Sequence, residues 1–453
     1  MQNLALCFPS ALRRESLFSA ISSLLSHEVN ANREVSIYTD NPSATPPFVK
    51  EGIEGLKKKG VFCTLHYLEK RKETIENLAT SFDKELLNYA LLPPEDGIGY
   101  GVNVNASMLG SAGSILISCD DDIISKPARI KPALLDALLE KMPSADKKEG
   151  DDDRLLLYFT NRESLLDTVE EVDVNILQAY LDLFRQNEES NGKISENPIL
   201  WINPGLYGDT GMGSARGTLS LTGTSRAFLH QDYEGLKLSG EAINIHLQST
   251  ISAKTNLMAG QTAFYNKVPL APFMPYGRGT DGLSGLLSRL IYPGSRAAYS
   301  DFALYHASDG TRNNPAKTLT WVKPSISDLA MIVAIVFRKE TEEGFNYYGS
   351  LFSDIARLSN SSFVDHLHGA FIAQFNAVIE YYEKLLERYN REPASWAADM
   401  ETHIENIQEK MRNPLSLFGK EGCDLSIERA KYHLEHYGEV LKIWPDLWKK
   451  NLK

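Results

Sequence analysis

Cysteines and long hydrophobic runs are scarce in this chain. Only four cysteines occur in 453 residues, and no two of them form a CxxC pair. A disulfide-stapled scaffold and a zinc ribbon are therefore not expected, and a reducing compartment is favoured. The longest apolar run, Leu329 to Phe337, is far shorter than the ~20 residues that a membrane-spanning helix needs. The N-terminus lacks a basic segment followed by an apolar stretch, so we predict no signal peptide and a soluble, cytoplasmic protein.

Positive charge is also in short supply. Lys and Arg number 47 against 59 Asp and Glu, which gives a net charge of −12. We therefore do not expect a protein that wraps nucleic acid or binds an anionic membrane surface. Hydrophobic residues make up 43% and charged residues 23% of the chain, which is the balance of a globular protein.

Short apolar runs alternate with helical patterns through the first third of the chain. Leu17, Ile21 and Leu24, for example, recur at helical spacing. Strands that alternate with helices imply βαβ units. The predicted fold class is therefore α/β, a Rossmann-like and mostly parallel sheet flanked by helices. The runs that predict its first four strands are residues 4–8, 35–38, 61–65 and 114–119.

The pattern changes after about Pro324. From Phe363 to Leu386 apolar residues keep helical spacing over several turns, and Pro393 then ends the run. We therefore expect two domains, an α/β domain over residues 1–320 and an all-helical region over residues 321–453. The helical region would shape the acceptor site of an enzyme or form a homo-oligomer contact.

The fourth predicted strand ends in three carboxylates, Asp120, Asp121 and Asp122. Ligands of open parallel sheets collect beyond the carboxyl ends of the strands, so a site is expected there. Three adjacent anions in a cleft repel one another and need a compensating cation. Mn²⁺ or Mg²⁺, with oxygen ligands and open positions for substrate phosphates, would supply it. The alternative is a strand-to-helix turn in which the aspartates cap the next helix.

Five segments around this triplet resemble, in the same order, the GT-A class of nucleotide-sugar glycosyltransferases, and in particular its family-two-like DxD enzymes. The first three are similar to the opening strand, proline turn and helix, the second strand, and the DxD element. The last two resemble the Gly-rich strand of the sugar pocket and the acidic motif that opens the helix under the acceptor. They are residues 4–25, 36–41, 101–123, 258–265 and 273–284, within an overall resemblance over roughly residues 1–308.

This resemblance implies a hexosyltransferase-type enzyme that moves a sugar from a nucleoside-diphosphate sugar to an unknown acceptor hydroxyl. It implies that Asp122 and His306 hold the metal and that Asp281 is the catalytic base. The residues implied to contact the nucleotide sugar are Pro9, Ser10, Asp40, Asp120, Asp121 and Gly260.

Two features depart from the family pattern. The usual acidic pair is replaced by Thr280-Asp281, and a basic residue expected before the fourth strand is replaced by residues 103–105 (Asn-Val-Asn). Lys126 or Arg129 is the candidate to contact phosphate in its place.

Three further interpretations stay open. The Gly-rich segment 207–217 would be either a lid or a surface loop. The chain would alternatively be a nucleotidyltransferase that makes a nucleotide sugar, although the basic signature after the first strand is missing. The third interpretation, from a different functional class, is a non-catalytic carbohydrate-binding or scaffold protein with a GT-A fold.

Overall fold

The computed structural model describes most of the chain, and every structural statement below concerns the described residues. They are residues 4–12, 15–26, 34–41, 46–94, 99, 101–140, 154–159, 162–187, 195–209, 216–229, 232–237, 240–253, 257–258, 260–307, 322, 324–339, 341, 343–418 and 426–452. The centre of the Gly-rich segment 207–217, residues 210–215, lies outside them.

Strands and helices alternate through the first part of the chain. The strands are β1 (Leu4–Pro9), β2 (Glu34–Tyr38), β3 (Phe62–His66), β4 (Ile115–Cys119), β5 (Ile123–Ile130), β6 (Arg154–Phe159), β7 (Val169–Glu171), β8 (Ile199–Gly208), β9 (Glu241–His246), β10 (Thr250–Ser252), β11 (Gln261–Phe264) and β12 (Arg296–His306). The helices up to this point are α1 (Ser16–Leu25), α2 (Pro47–Lys58), α3 (Leu68–Leu78), α4 (Lys84–Leu91), α5 (Val102–Gly110), α6 (Pro132–Glu140), α7 (Arg162–Leu166), α8 (Ile176–Phe184), α9 (Arg216–Leu219), α10 (Gly223–Leu229), α11 (Tyr233–Lys237) and α12 (Thr280–Ile291).

One twelve-stranded sheet joins these strands in the order β3-β2-β1-β4-β11-β8-β12-β5-β7, with β10 beside β12 and with β9 and β6 branching from β8. The block β3-β2-β1-β4 is parallel throughout, and β12 is parallel to β8. The other strand pairs are antiparallel. The predicted α/β fold class is confirmed, and its four predicted strands correspond to the parallel block.

Strand directions bring many chain segments to one edge of the sheet. Because β11 is antiparallel to both β4 and β8, β4 and β8 point the same way, and β12 follows β8. Strands β5 and β9 run in the opposite direction, so their first residues lie where the other strands end. We call this border the strand-end edge. It gathers Pro9, Ser10, Asp40, Asp120, Asp121, Asp122, Asp209, Glu241, Gly260 and His306.

Helices cover both faces of the parallel block. On one face, the apolar stripe of α1 packs through Leu17, Ile21 and Leu24 against strand residues such as Ile37 and Ile117. On the other face, α4 and α5 pack against Leu116 of β4. Burial on both faces explains why β1 and β4 are nearly continuous apolar runs.

The last part of the chain is helical, as predicted. Beyond His306, the residues that the structure describes form α13 (Ile326–Val336), α14 (Gly344–Arg357), α15 (Asn360–Arg388), α16 (Ala394–Arg412), α17 (Ile427–Lys450) and a short 3-10 turn (Pro414–Leu417), and no strand. None of the described helices is long and apolar enough to cross a membrane. The predicted domain boundary between residues 320 and 321 falls outside the described residues.

Helix α17 returns to the α/β part of the molecule. Trp444 and Trp448 are buried in the same cluster as Leu116, on the face covered by α4 and α5. The indole N–H of Trp448 donates a 3.1 Å hydrogen bond to Asn266, and the Tyr437 hydroxyl donates one of 2.7 Å to the carbonyl of Pro272. The C-terminal helix is therefore part of the core that supports the sheet.

Candidate functional site

The aspartate triplet occupies a tight turn between two strands. All five residues of β4 are buried, and β5 begins at Ile123, directly after the triplet. The Asp120 N–H donates a 2.8 Å hydrogen bond to the carbonyl of Gly260, and the Ile123 N–H donates one of 3.2 Å back to the carbonyl of Asp120. Because a strand follows the triplet, the helix-capping alternative is wrong.

Ser10 connects the end of β1 to the triplet. Its hydroxyl donates a 2.6 Å hydrogen bond to Oδ2 of Asp121 and accepts one of 2.9 Å from the Leu12 N–H. Ser10 is buried, and the preceding Pro9 pairs with Tyr38 of β2. The structure thus brings together Ser10 and the triplet, which the sequence assigned to one site.

Asp122 and His306 face each other across the start of β5 and the end of β12. The His306 Nε2 lies 3.3 Å from Oδ1 of Asp122, with side-chain exposures of 9% and 10%. Pairing of His306 with Ile123 sets this distance, together with a 2.8 Å hydrogen bond from the Ala307 N–H to the carbonyl of Asp122. Two adjacent ligands of an octahedral ion, each about 2.1 Å from the metal, are about 3 Å apart. The pair therefore has the spacing of two metal ligands.

This pair would fill only part of a metal coordination shell. No group of three or more His, Cys, Asp or Glu side chains in the described ranges is arranged to hold a metal ion. Mg²⁺ and similar hard cations often take one or two protein ligands and complete their shell with water and substrate phosphates. Nδ1 of His306 is buried without a hydrogen-bond partner among the described residues, whereas a ligating histidine usually has one there. Asp122 and His306 would supply two ligands of an open divalent site, and water and substrate would have to supply the others.

The negative charge of the triplet affects the pKa of the neighbouring Cys119 thiol. Burial raises the pKa of Cys119 well above its ordinary value, and the charges of Asp120, Asp122 and Asp121 raise it further. Cys119 therefore stays a neutral thiol, and we do not expect it to act as a nucleophile.

Asp40 is held at the end of β2 by a buried arginine. The Arg71 guanidinium lies 2.6 Å from Oδ1 of Asp40 and also donates hydrogen bonds of 2.5 and 2.9 Å to the carbonyls of Thr39 and Leu91. Asp40 itself stays partly exposed at the strand-end edge. Its predicted contact with the nucleoside remains a prediction.

Asp281 lies in the first turn of α12, where its Oδ1 accepts a 2.9 Å hydrogen bond from the Gly282 N–H. The preceding Gly279 has a φ of 76°, a left-handed conformation that favours glycine. The carboxylate thus lies in the first turn of a helix, where the backbone fixes its position. Its predicted role as the base remains a prediction.

The two cations suggested for phosphate contact lie on β5, which leads away from the strand-end edge. At about 3.3 Å per residue, Arg129 lies roughly 20 Å along the strand from Ile123, and Lys126 roughly 10 Å. Arg129 is also 2.5 Å from Asp301 in an ion pair. The suggestion is therefore wrong for Arg129.

Sequence analysis missed three charged side chains at the strand-end edge, Arg162, Asp209 and Glu241. The Arg162 guanidinium carbon lies 4.7 Å from the centroid of the Tyr305 ring. Burial raises the pKa of Glu241; the charges of Arg162 and His306 oppose this rise, and that of Asp209 adds to it. Asp209 lies in the Gly-rich segment 207–217, but Arg162 and Glu241 belong to no recognisable motif, and strand pairing alone brings them to the site.

Comparison with known proteins gives a structural similarity and no sequence match. No family model matches the chain, and no curated protein matches it. Among solved structures, the chain is similar to the crystal structure of TarS residues 1–349 from S. aureus in complex with UDP-GlcNAc. The two are 13% identical over 91% of this chain and 92% of that chain, with a TM-score of 0.36.

Proposed function

We propose that this chain is a metal-dependent glycosyltransferase that binds a nucleoside-diphosphate sugar at the strand-end edge. The observation that carries the proposal is the 3.3 Å approach of His306 to Asp122, next to an Asp121 that Ser10 contacts. These side chains come from three separate parts of the chain and meet beyond the carboxyl ends of β1, β4 and β12. Open α/β sheets bind ligands at that location.

The proposed roles follow the positions along the edge. Pro9, Ser10 and Asp40 would lie against the nucleoside, since they follow β1 and β2. Asp120, Asp121 and Gly260 would contact the ribose and the sugar. The hydrogen bond from the Asp120 N–H to the Gly260 carbonyl keeps the end of β4 next to the start of β11.

Asp122 and His306 would hold Mn²⁺ or Mg²⁺. When bound, such an ion stabilises the negative charge that develops on a departing diphosphate. The near-complete burial of both side chains restricts their movement and excludes bulk water from their side of the site. The ordered pair therefore needs little rearrangement to bind an ion.

Asp281 would accept the proton of the acceptor hydroxyl. A hydroxyl is a poor nucleophile at neutral pH, and a carboxylate within hydrogen-bond reach raises its reactivity by removing the proton as the new bond forms. The position of Asp281 on the first turn of α12 gives the carboxylate a fixed backbone support.

Thermal unfolding with a panel of nucleoside diphosphates tests the proposal. We expect one nucleotide to raise the melting temperature in the presence of Mn²⁺ and much less in its absence. Asp122→Asn should abolish the Mn²⁺-dependent part, whereas Asp136→Asn, at an exposed position of α6, should keep it. No stabilisation by any nucleotide would contradict the proposal and favour a scaffold protein. If one nucleotide stabilises the chain, incubation with the matching nucleotide sugar distinguishes transfer from binding.

A further inference from the structure

A second group of charged side chains lies at the strand-end edge beside the Asp122–His306 pair. Glu241 pairs with Phe159 at the end of β6, and the next residue of β9 pairs with Gly208 at the end of β8. Arg162, close after β6, stacks its guanidinium on the ring of Tyr305. Asp209 directly follows β8. The pairing of β6, β9, β8 and β12 thus places one cation and two carboxylates around one aromatic ring.

One carboxylate oxygen of Glu241 lacks a hydrogen-bond donor among the described residues. Its Oε2 is buried and has no hydrogen-bond partner among the described residues. An ionised carboxylate can only accept hydrogen bonds, and a buried acceptor without a donor is costly. Burial raises the pKa of Glu241, and the nearby positive charge of Arg162 opposes that rise. The Glu241 side chain as a whole is only partly buried, so a ligand that brings a hydrogen-bond donor to its carboxylate would remove this cost.

The mixed charges restrict the chemistry of that ligand. A cationic ligand would be repelled by Arg162, and an anionic ligand would be repelled by Glu241 and Asp209. A hydroxyl group both donates and accepts, so neighbouring hydroxyls can donate to Glu241 and accept from Arg162 at once. A neutral, polyhydroxylated molecule meets both requirements.

The distance from the triplet indicates which substrate this would be. Glu241 lies two strand steps, from β12 through β8, from His306, which contacts Asp122. At about 4.8 Å per step this is roughly 10 Å, which leaves room for a donor sugar between the Asp122–His306 pair and Glu241. A donor sugar at the metal pair would thus leave Glu241 on the acceptor side.

We propose that Glu241 and Arg162 form a hydroxyl-binding subsite for a neutral carbohydrate acceptor. This inference rests on the proposed function, because it is the donor site at the triplet that defines the acceptor side. Glu241 would accept hydrogen bonds from the acceptor hydroxyls, and Arg162 would orient the Glu241 carboxylate and donate a hydrogen bond to a neighbouring hydroxyl oxygen.

Binding to an array of neutral oligosaccharides tests the subsite, with the full chain and with Mn²⁺ and the stabilising nucleoside diphosphate present. We expect the unmodified chain to bind at least one oligosaccharide. Glu241→Gln should weaken that binding about tenfold or more, since it removes a hydrogen bond to a charged group. Arg162→Lys provides a second variant that keeps the charge but loses the planar stacking on Tyr305. Glu163→Gln, an exposed neighbour of Arg162, is the matched control and should bind normally.

Nucleotide binding, measured by thermal shift on the same variants, separates this inference from the proposed function. Both Glu241→Gln and Arg162→Lys should keep the Mn²⁺-dependent nucleotide shift. Unchanged oligosaccharide binding by Glu241→Gln would overturn the subsite, as would the absence of any oligosaccharide binding by the unmodified chain. Loss of the nucleotide shift in Glu241→Gln would assign Glu241 to the donor and overturn it too. Glu241-dependent oligosaccharide binding without any nucleotide shift would support the subsite and contradict the glycosyltransferase proposal.

Discussion

His306 Nε2 lies 3.3 Å from Oδ1 of Asp122, a contact made by the last residue of one strand and the residue just before another. The antiparallel register of β12 and β5 holds both backbones in place, because His306 pairs with Ile123. The two side chains are thus positioned by the sheet itself and need no ligand to bring them together.

Removal of the histidine should weaken metal binding. We expect His306→Ala to lower the Mn²⁺ affinity of the nucleotide-bound chain at least about tenfold, since one of the two proposed protein ligands is lost. Titration calorimetry with Mn²⁺ measures this affinity. The control is His436→Ala, which breaks a histidine–carboxylate contact of similar length, 3.2 Å to Glu85, on α17. Equal Mn²⁺ affinities for the two variants would contradict the assignment of His306.

Ser10→Ala should cost stability even without substrate. The variant loses the hydrogen bond to Asp121 and the acceptor of the Leu12 N–H, in a buried position. A hydrogen bond to a charged group contributes about 1.5–3 kcal/mol, so we expect a loss near the lower value in urea unfolding. Ser26→Ala, at an exposed helix end, should change stability by less than about 0.5 kcal/mol. Equal losses in the two variants would show that the Ser10 contact contributes nothing specific.

Arg71→Ala should destabilise the first half of the sheet. It leaves Asp40 without its cation and removes the donor to the carbonyls of Thr39 and Leu91. Removal of one partner of a largely buried pair costs about 3 kcal/mol. The exposed pair Arg185–Asp182 supplies the comparison, because Arg185→Ala should cost less than about 0.5 kcal/mol. Urea unfolding of both variants measures the difference, and similar costs would be inconsistent with a structural role of Arg71.

Cys63 should react slowly with alkylating reagents. Burial raises its pKa from 9.0 to about 11. At pH 8 the folded protein then holds roughly a hundredfold less thiolate at this position than the unfolded chain, and thiolate is the reactive form. Because the folded state binds this proton more tightly, the associated stabilisation is present below pH 9 and is lost as the pH rises through 11.

Iodoacetamide labelling followed by mass spectrometry of the Cys63 peptide measures the effect. In the folded protein the rate should still rise about tenfold per pH unit between pH 9 and 10, whereas in urea it should level off. A rate that levels off near pH 9 in the folded protein would contradict the raised pKa.

The parallel strands and the triplet could be predicted from local sequence. Strand β1 is an apolar run and β4 is one apart from Ser118, because both of their faces are buried, and Ser10 and Asp120, which follow them, are polar. The long helix α15 was predictable because its apolar residues repeat at helical spacing on one side.

Strand β5 was not predicted, and the reason is its composition. Pro127 lacks an N–H for a strand ladder, and the polar residues Ser125 and Lys126 precede it. The strand forms because its neighbours β12 and β7 pair with it, which is information from distant parts of the chain. The same applies to Glu241 and Arg162, which only strand pairing brings to the site. Similarly, the helical pattern of α17 shows that it packs but not that its Trp444 packs under the sheet.

A crystal structure of the chain with Mn²⁺ and the stabilising nucleoside diphosphate tests the central claim most directly. Anomalous scattering would locate the manganese. We predict a peak about 2.1–2.3 Å from both Asp122 Oδ1 and His306 Nε2, with diphosphate oxygens in the remaining positions. A bound nucleotide without a manganese peak at these two atoms, or with the peak elsewhere, would contradict the account.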